Sequence, residues 1–420
     1  MKIVELAERL AAKIPNERVQ KFFAPCFLST WETTCEAMED GKYFVITGDI
    51  PALWLRDSSA QVQHYLPFAP NSEEVQNLVK GLLKTQIECI LIDPYANAYN
   101  KTDNGAGHQD DETEMGPRIW ERKYEIDSLC YPMRLAYQYW NIMNDESIFD
   151  EDFKTVMEEI VKLWTVEQNH ETSPYSFYRD NKIERGILAN HGRGTEVAYT
   201  GMTWSGFRPS DDACKYGYLV PSNFFAFVEL GHIAEMAEKI YEDKELAEKA
   251  KKLAGEIREG LEKFAVVEHK DLGKVYAYEV DGLGNYHFMD DANVPSLISL
   301  PYLGAVEHDD PVYVNTRKLL LSKENFNFYS GKFAEGIGSE HTPENYIWHI
   351  ALSMQGLTSV DENERKRILE TLITTDAGTF QMHEGFNVDN PEEFTRPWFA
   401  WSNSLFAEFV IDYYDLVDKL

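Results

Sequence analysis

The chain has 420 residues, and 71 acidic against 40 basic residues give it a net charge of −31. A negative field of this size repels nucleic acid and anionic membranes, so neither is expected as a partner. The sequence contains no run near the roughly 18 apolar residues that a membrane span needs. Its length suits two or three average domains or one large ring-shaped domain, and no linker divides it.

Cysteine usage and the N-terminus indicate the compartment. Five cysteines, an odd number, occur without a CxxC pair, which is typical of free thiols in a reducing compartment. Residues 1–15 show an amphipathic helical pattern without the continuous apolar core of a signal peptide. These features predict a cytoplasmic protein. The cysteines are Cys26, Cys35, Cys89, Cys130 and Cys214.

Helical periodicity dominates the rest of the chain. Asn71 and Glu74 resemble a capping box at the start of one apolar-faced segment. Only 43–46 and 275–280 resemble strands. The predicted helices span 18–38, from 72 to about 87, 127–139, 149–164, 222–241, 245–264, 311–321, 343–357, 362–374 and 398–416.

The width of the apolar surface on 222–241 suggests burial on two sides. Successive helices of this kind can close into a ring with inner and outer layers. Periodicity therefore predicts an all-α chain, although periodicity alone does not establish that the helices form a ring. In a ring, the loops at one end would collect the polar motifs.

Two loops far apart in the sequence carry carboxylates among aromatic residues. The first, 203–212, contains Trp204, Asp211 and Asp212, and the second, 378–386, contains Glu384. Hydrolysis of a glycosidic bond needs such a pair, because one carboxyl protonates the leaving oxygen and the other activates water. Burial near Trp204 is expected to raise the pKa of an aspartate, as a general acid requires. The alternative is that both aspartates cap a helix.

Other motifs supply candidate binding residues. Arg56 and Asp57 either hold sugar hydroxyls beside the flat face of Trp54 or form a salt-bridged helix cap. The acidic segment 107–114 lacks the spacing of an EF-hand, so a solvated loop is favoured over a calcium site. Glu125 and Asp127, beside aromatics at the mouth of a helix, are the better pocket candidates.

Two later loops complete this set. His341 is either a ligand-binding residue or a capping or core histidine. Trp398 and Trp401, three residues apart, predict one helix face that serves as core or, next to Arg396, as a pocket wall. The sequence has no HExxH, GxSxG or GxGxxG motif, which argues against zinc proteases, α/β-hydrolases and Rossmann enzymes. Neither a metal nor a cofactor is expected.

Together these motifs resemble glycoside hydrolase family 125, the bacterial and fungal exo-α-1,6-mannosidases. The resemblance covers nearly the whole chain. Glu340 stands where the family pattern has proline, and Ser59 where it has threonine. The resemblance implies one (α/α)6 domain over 1–420, an inverting mechanism and no metal requirement. It depends on 48–58, 124–132, 203–212, 336–345 and 376–403.

The resemblance also implies roles for single residues in cleaving an α-1,6-linked mannose oligosaccharide. The family's general acid falls on Asp211 and its general base on Glu384. Another glycosidase or a sugar epimerase on the same fold, or a non-catalytic carbohydrate-binding protein, are the alternatives. The expected substrate-binding residues are Trp54, Arg56, Asp57, Glu125, Trp204, His341, Arg396 and Trp401.

Overall fold

Helices make up most of the fold in the computed structural model of the chain, which describes residues 1–180 and 186–420. None of the described helices is both long and apolar enough to cross a membrane. The helices are α1 Ile3–Ala11, α2 Glu17–Ser29, α3 Leu55–Gln63, α4 Glu73–Ile92, α5 Ile126–Met143, α6 Glu151–Glu167, the single turn α7 Ala189–Gly192, α8 Val220–Lys239, α9 Lys244–Gly260, α10 Pro311–Leu320, α11 His349–Leu357, α12 Glu362–Leu372 and α13 Ala400–Tyr413.

The helices form an inner and an outer layer. Helices α3, α5, α8, α11 and α13 are buried along most of their length. Around this inner layer, α3 contacts α5, α5 contacts α8, and α11 contacts α13. Helix α13, near the end of the chain, contacts α2 and α3 near its beginning and so closes the ring. The prediction of an all-α (α/α)6 barrel is confirmed.

Turns replace a helix at one position of the inner layer. The buried segment 296–304 folds through turns such as Ser299 N–H to the Ser296 carbonyl (3.1 Å) and Leu303 N–H to the Ser299 carbonyl (3.0 Å). The hydroxyl of Tyr313, on outer helix α10, donates to the Ile298 carbonyl at 3.0 Å. The segment therefore lies inside α10, where the other pairs have an inner helix.

The layer of each helix follows from its sequence pattern. In outer helix α9, Leu246, Ala250, Leu253 and Ile257 are buried on one face, and lysines and glutamates cover the other. Asp243 caps this helix by accepting from the Leu246 N–H at 3.0 Å. In inner helix α8 the apolar residues are not concentrated on one face, because nearly every side of this helix is buried.

Short strands lie at the N-terminal ends of the inner helices. Leu53–Trp54 leads directly into α3, Tyr218–Leu219 into α8, and Tyr346–Trp348 into α11. Before α13, Phe399 forms a β-bridge with Gly48. These pairings gather the loops at one end of the ring. The strands are β1 Cys35–Ala37, β2 Tyr43–Val45, β3 Leu53–Trp54, β4 Ala98–Tyr99, β5 Ile119–Glu121, β6 Tyr218–Leu219, β7 Val266–His269, β8 Gly273–Tyr276, β9 Glu279–Val280, β10 Phe328–Ser330, β11 Glu335–Ile337, β12 Tyr346–Trp348, β13 Gly385–Asn387 and β14 Asn390–Phe394.

Several predicted helix ends are wrong, and strand pairing or capping explains them. The helix predicted over 18–38 ends at Ser29, because the chain unwinds through the threonine-rich turn Thr30–Thr34 into β1, which pairs with β2. The helix predicted over 343–357 begins at His349, because β12 pairs with β13. At α4 the cap is Ser72, not Asn71, and its hydroxyl accepts from the Val75 N–H.

Candidate active site

A small cavity, with an internal volume of about 40 Å³, opens at the end of the ring where the strands enter the inner helices. Asp211 and Glu384 both line this cavity, although they are 173 positions apart in the sequence (384 − 211). Of the other predicted residues it is lined by Trp54, Arg56, Asp57, His341, Arg396 and Trp401.

Asp211 reaches this cavity from an unusual backbone position. Its φ of 64° is left-handed, a conformation that a residue other than glycine keeps only when its surroundings hold it. The Asp211 N–H donates to the Arg208 carbonyl at 2.9 Å, and Lys123 Nζ donates to the Asp211 carbonyl at 2.7 Å. The carboxylate accepts from Asn97 Nδ2 at 3.1 Å and is 26% exposed.

The neighbouring aspartate points elsewhere. The Asp212 side chain is 6% exposed, does not line the cavity, and has Oδ1 3.5 Å from His341 Nδ1. Neither aspartate caps a helix, since α8 begins after Leu219. Of the two carboxyls, the one that faces the cavity is therefore that of Asp211.

The first turn of α3 supplies the cation at the floor of the cavity. The interpretation of Asp57 as a helix cap is wrong, because Trp54 holds the N-cap position and Arg56 and Asp57 lie inside the helix. Arg56 Nη1 donates to Glu125 Oε2 at 2.6 Å and to Asp127 Oδ2 at 3.1 Å. Its Nε lies 3.4 Å from Asp57 Oδ2, and its Nη2 lies 3.9 Å from Oδ1 of the loop aspartate, Asp211.

Burial and charge shift the pKa values of this cluster in opposite directions. Burial raises the pKa of Asp57 to about 6, although Arg56 and Arg396 oppose the shift. Burial also raises the pKa of Glu125 well above its usual value against the effect of Arg56. Burial acts the same way on Asp211, but Lys123, the hydrogen bond from Glu125 and Arg56 outweigh it and lower its pKa. The expectation of a raised pKa is therefore wrong for Asp211.

Glu384 stands across the cavity, directly before β13. Its position is set by Gly385, which pairs with Trp348 at the end of β12. Arg396 Nη1 lies 3.6 Å from Glu384 Oε1, and the same guanidinium binds Asp49 through Nε at 3.0 and 3.1 Å. Glu384 thus has a cation that it shares with a carboxylate at the surface.

Some of the predicted tryptophans line the cavity, and others lie elsewhere in the structure. Trp54 and Trp401 line the cavity, and the Arg56 guanidinium lies 5.9 Å from the ring centroid of Trp401. The expectation that Trp204 walls the pocket is wrong, because it is 1% exposed and stacks on His170 with centroids 3.5 Å apart. Trp398 and Trp401 do not share a helix face, since α13 begins between them.

Glu125 is also absent from the cavity lining. It is the N-cap residue of α5 and lies behind Arg56, where Ser128 Oγ donates to its Oε2 at 3.1 Å. The prediction that it contacts the ligand directly is therefore not supported by its place in the structure. It belongs to a layer of buried carboxyls beneath the cavity.

Two groups of ligand-type residues lie outside the cavity. In the acidic segment 107–114, both carboxylate oxygens of Asp111 accept from Arg179, at 2.6 and 2.7 Å, so the favoured interpretation of a solvated loop is wrong at this residue. Among the described residues, His269, Asp271 and Glu324 are the one group with metal-ligand geometry. His269 Nδ1 accepts hydrogen bonds from backbone N–H groups of the following turn, and Nε2 lies 2.9 Å from Glu324. Both ring nitrogens therefore already have partners that stabilise this turn.

Three polar residues of the site carried no signal in the sequence. Asn97 connects Glu121 and Asp211, and Lys123 binds the Asp211 backbone. Asn293 lines the cavity in a loop with no recognisable motif. Their roles come from contacts across the ring, which residue type and spacing do not encode.

Two carboxyls that line one cavity are the arrangement that hydrolysis of a glycosidic bond needs. A family model described as metal-independent alpha-mannosidase (GH125) matches residues 16–411. The chain therefore belongs to the GH125 family and is a glycoside hydrolase.

Individual relatives agree with this assignment. A solved Streptococcus pneumoniae structure, a metal-independent α-mannosidase in a non-productive substrate complex with α-1,6-mannobiose, is 48% identical with a TM-score of 0.96, and the match covers 98% of this chain and 97% of that one. The meiotically up-regulated gene 157 protein of Schizosaccharomyces pombe is 38% identical over 437 residues, 98% of this chain and 85% of that protein. A wild-type glycosidase at 12% identity and a TM-score of 0.55, with 98% of both chains covered, shares the fold alone.

Proposed function

We propose that this protein is an exo-acting α-1,6-mannosidase that removes mannose from the non-reducing ends of α-1,6-linked mannosides or N-glycan fragments. The observation that carries the proposal is the small cavity in which Asp211 and Glu384 meet. Its small size suits a single terminal sugar unit. The similar S. pneumoniae structure, which holds α-1,6-mannobiose, supports the linkage.

The two carboxyls divide the chemistry between them. Asp211 donates a proton to the glycosidic oxygen as the bond to the anomeric carbon breaks. Glu384 accepts a proton from the water that attacks the opposite face of the sugar. A single displacement of this kind inverts the anomeric centre and needs about 6.5–9.5 Å between the carboxyls to admit the water. The two carboxyls line the same cavity from separate loops, which supports these roles.

The remaining lining residues position the sugar. Asp57, Arg56 and Arg396 offer fixed acceptors and donors to hydroxyl groups, which suits a neutral polyol. Trp54 and Trp401 supply flat apolar faces for the ring. Burial lowers the pKa of His341, but its contact with Asp212 and the nearby carboxylates raise it overall, so this side chain serves as a donor.

The anomer of the first product tests this function. The protein is incubated with α-1,6-mannobiose and the anomeric protons are followed by NMR during the first turnovers. We expect β-mannose to appear first and to equilibrate later, because inversion converts an α linkage into a β product. Initial release of α-mannose contradicts inversion, and absence of turnover contradicts the mannosidase assignment.

We further propose a cytoplasmic location and a single catalytic domain over 1–420. All five cysteines are free, and four of them are buried, which suits a reducing compartment. The main hydrophobic core cluster extends from Ile3 to Leu416, as one domain requires. Cell fractionation tests the location. Limited proteolysis tests the domain, and release of a stable fragment of roughly domain size contradicts it.

A further inference from the structure

Glu125 lies directly behind Asp211 and makes no contact with the cavity. Its Oε2 accepts from Arg56 Nη1 at 2.6 Å, and its Oε1 lies 3.5 Å from Asn97 Nδ2. The same Asn97 nitrogen donates to Asp211 Oδ1 at 3.1 Å, and both carboxyl groups also contact Arg56. Two ionised carboxylates held by the same amide and the same guanidinium repel each other, and one proton shared between them removes that repulsion.

The charges of the surrounding cluster lead to the same requirement. The Arg56 guanidinium forms ion pairs with four carboxyls, and its Nη1 contacts two of them. Lys123 adds one more positive charge, but it is shared with Glu121 at 3.5 Å. If all were ionised, the buried cluster would hold a surplus of negative charge, which is strongly unfavourable in a low-dielectric site. The four carboxyls belong to Asp57, Glu125, Asp127 and Asp211.

The partners of each carboxyl place the proton. Asp57 faces a second cation, Arg396, across the cavity. Asp127 accepts from Arg56 and from Ser222 Oγ. Glu125 has Arg56 on one oxygen and the neutral Asn97 amide on the other, so its second oxygen is the one without a cation. The charged groups that face the Glu125–Asp211 pair are Arg56, Asp57, Glu121, Lys123, Asp127 and His341.

We propose that Glu125 and Asp211 share a single proton and that Glu125 is the positioning residue that keeps this proton available to Asp211. The proposal rests on the role of Asp211 as general acid in the proposed function. The raised pKa of Glu125 and the lowered pKa of Asp211 agree with a proton that resides mainly on Glu125 when the cavity is empty. Such a pair titrates as a unit.

The proton balance of one turnover is simple. The proton moves from Glu125 to Asp211, which donates it to the glycosidic oxygen as the bond from the anomeric carbon to that oxygen breaks. Water adds its hydroxyl to the anomeric carbon, and Glu384 takes the water's remaining proton. Glu384 then releases this proton to solvent, and the Glu125–Asp211 pair takes one proton back from solvent.

The Glu125→Gln variant tests the proposal through its pH profile. A glutamine amide donates to Asp211 and removes the neighbouring negative charge, so both effects stabilise the ionised acid. We expect the alkaline limb of kcat against pH to move to lower pH by about one unit or more, with kcat on α-1,6-mannobiose falling about 10–100-fold near pH 7. KM should change much less than kcat, because Glu125 does not contact the sugar.

The leaving group separates proton supply from a structural role. With an activated aryl α-mannoside, whose leaving group needs little protonation, Glu125→Gln should lose far less activity than with mannobiose. Glu229, a buried glutamate of α8 that contacts His232 at 2.9 Å outside the cavity, gives the matched control. Glu229→Gln should leave the pH profile and the ratio of the two substrates unchanged. Equal losses of Glu125→Gln on both substrates, or an unmoved alkaline limb, contradict the proposal.

Two further variants make the result decisive. Glu125→Asp keeps a carboxyl but withdraws it from Asp211, so its alkaline limb should lie between those of the wild type and Glu125→Gln. This variant tests the proposal alone if the glutamine variant does not fold, and an unmoved limb in it overturns the proposal. Asp211→Asn tests the premise, since equal losses on the two substrates there overturn the acid assignment itself.

Discussion

On one side of the cavity, Arg56 lies among Asp57, Glu125, Asp127 and Asp211, of which Asp211 is 26% exposed and the other three are buried. On the other side, Glu384 faces Arg396, whose guanidinium is 22% exposed and also binds the exposed Asp49. We call these regions the Arg56 side and the Arg396 side. The Arg56 guanidinium contacts four carboxyls, whereas the Arg396 guanidinium contacts two.

This difference matches two opposite chemical tasks. A general acid must remain protonated near neutral pH, and a group of buried carboxyls that lie close together retains a proton there. A general base needs an ionised carboxylate, and a nearby guanidinium favours that form. The contrast between the two sides therefore follows from how many carboxyls each cation serves.

The largest effect on turnover is expected from Glu384→Gln on the Arg396 side. The attacking water loses its base, so kcat should fall by about 10²–10⁴-fold with mannobiose and by a similar factor with an activated aryl mannoside. Steady-state kinetics with both substrates give the comparison. Retention of wild-type activity on either substrate would assign the base elsewhere.

The largest effect on stability is expected on the Arg56 side. Arg56→Met leaves buried carboxylates without their cation and should lower the free energy of unfolding by about 3–5 kcal/mol near neutral pH. The matched variant Arg396→Met should cost about 1 kcal/mol or less, because Asp49, to which it is hydrogen-bonded, reaches solvent. Urea denaturation of both variants measures the difference. Part of the loss in Arg56→Met should be recovered as the pH falls and the carboxyls take up protons, and equal losses in both variants contradict the contrast.

A smaller effect is the pH dependence that Asp57 gives to stability. The pKa of Asp57 rises from 3.8 to about 6 on folding, so the folded state binds the proton more tightly than the unfolded chain. This contribution to stability is complete below pH 3.8 and is lost as the pH rises to about 6. Relative to Asp57→Asn, the wild type should lose up to about 3 kcal/mol across that window. If the free energies of unfolding of the two proteins change in parallel with pH, Asp57 does not contribute this pH dependence.

The sequence predicted the helical layers well but not the helix that carries the site. Helices such as α9 have an apolar stripe, which residue spacing reveals. Helix α3 buries Arg56, Asp57, Ser58 and Ser59, so it has no such stripe and hydrophobic periodicity does not reveal it. Polar residues fold into a helix there because partners from α5 and distant loops satisfy them, and those partners are set by tertiary contacts.

The candidate site shows the same division. The motifs around Asp211 and Glu384 are local and identify the cavity. The exclusion of Trp204 depends on His170, which stacks against it from another part of the chain. The lowered pKa of Asp211 depends likewise on Lys123 and Glu125. Sequence spacing identifies which loops meet, whereas burial and charge at their meeting point need the structure.

The most direct test of the account compares Asp211→Asn and Asp212→Asn on two leaving groups. The account predicts that Asp211→Asn loses about 10²–10⁴-fold in kcat on α-1,6-mannobiose but much less on an activated aryl mannoside, because only the first leaving group needs a proton. Asp212→Asn, whose side chain points away from the cavity, should show no such dependence. A leaving-group dependence in Asp212→Asn, together with its absence in Asp211→Asn, would contradict the assignment of the acid.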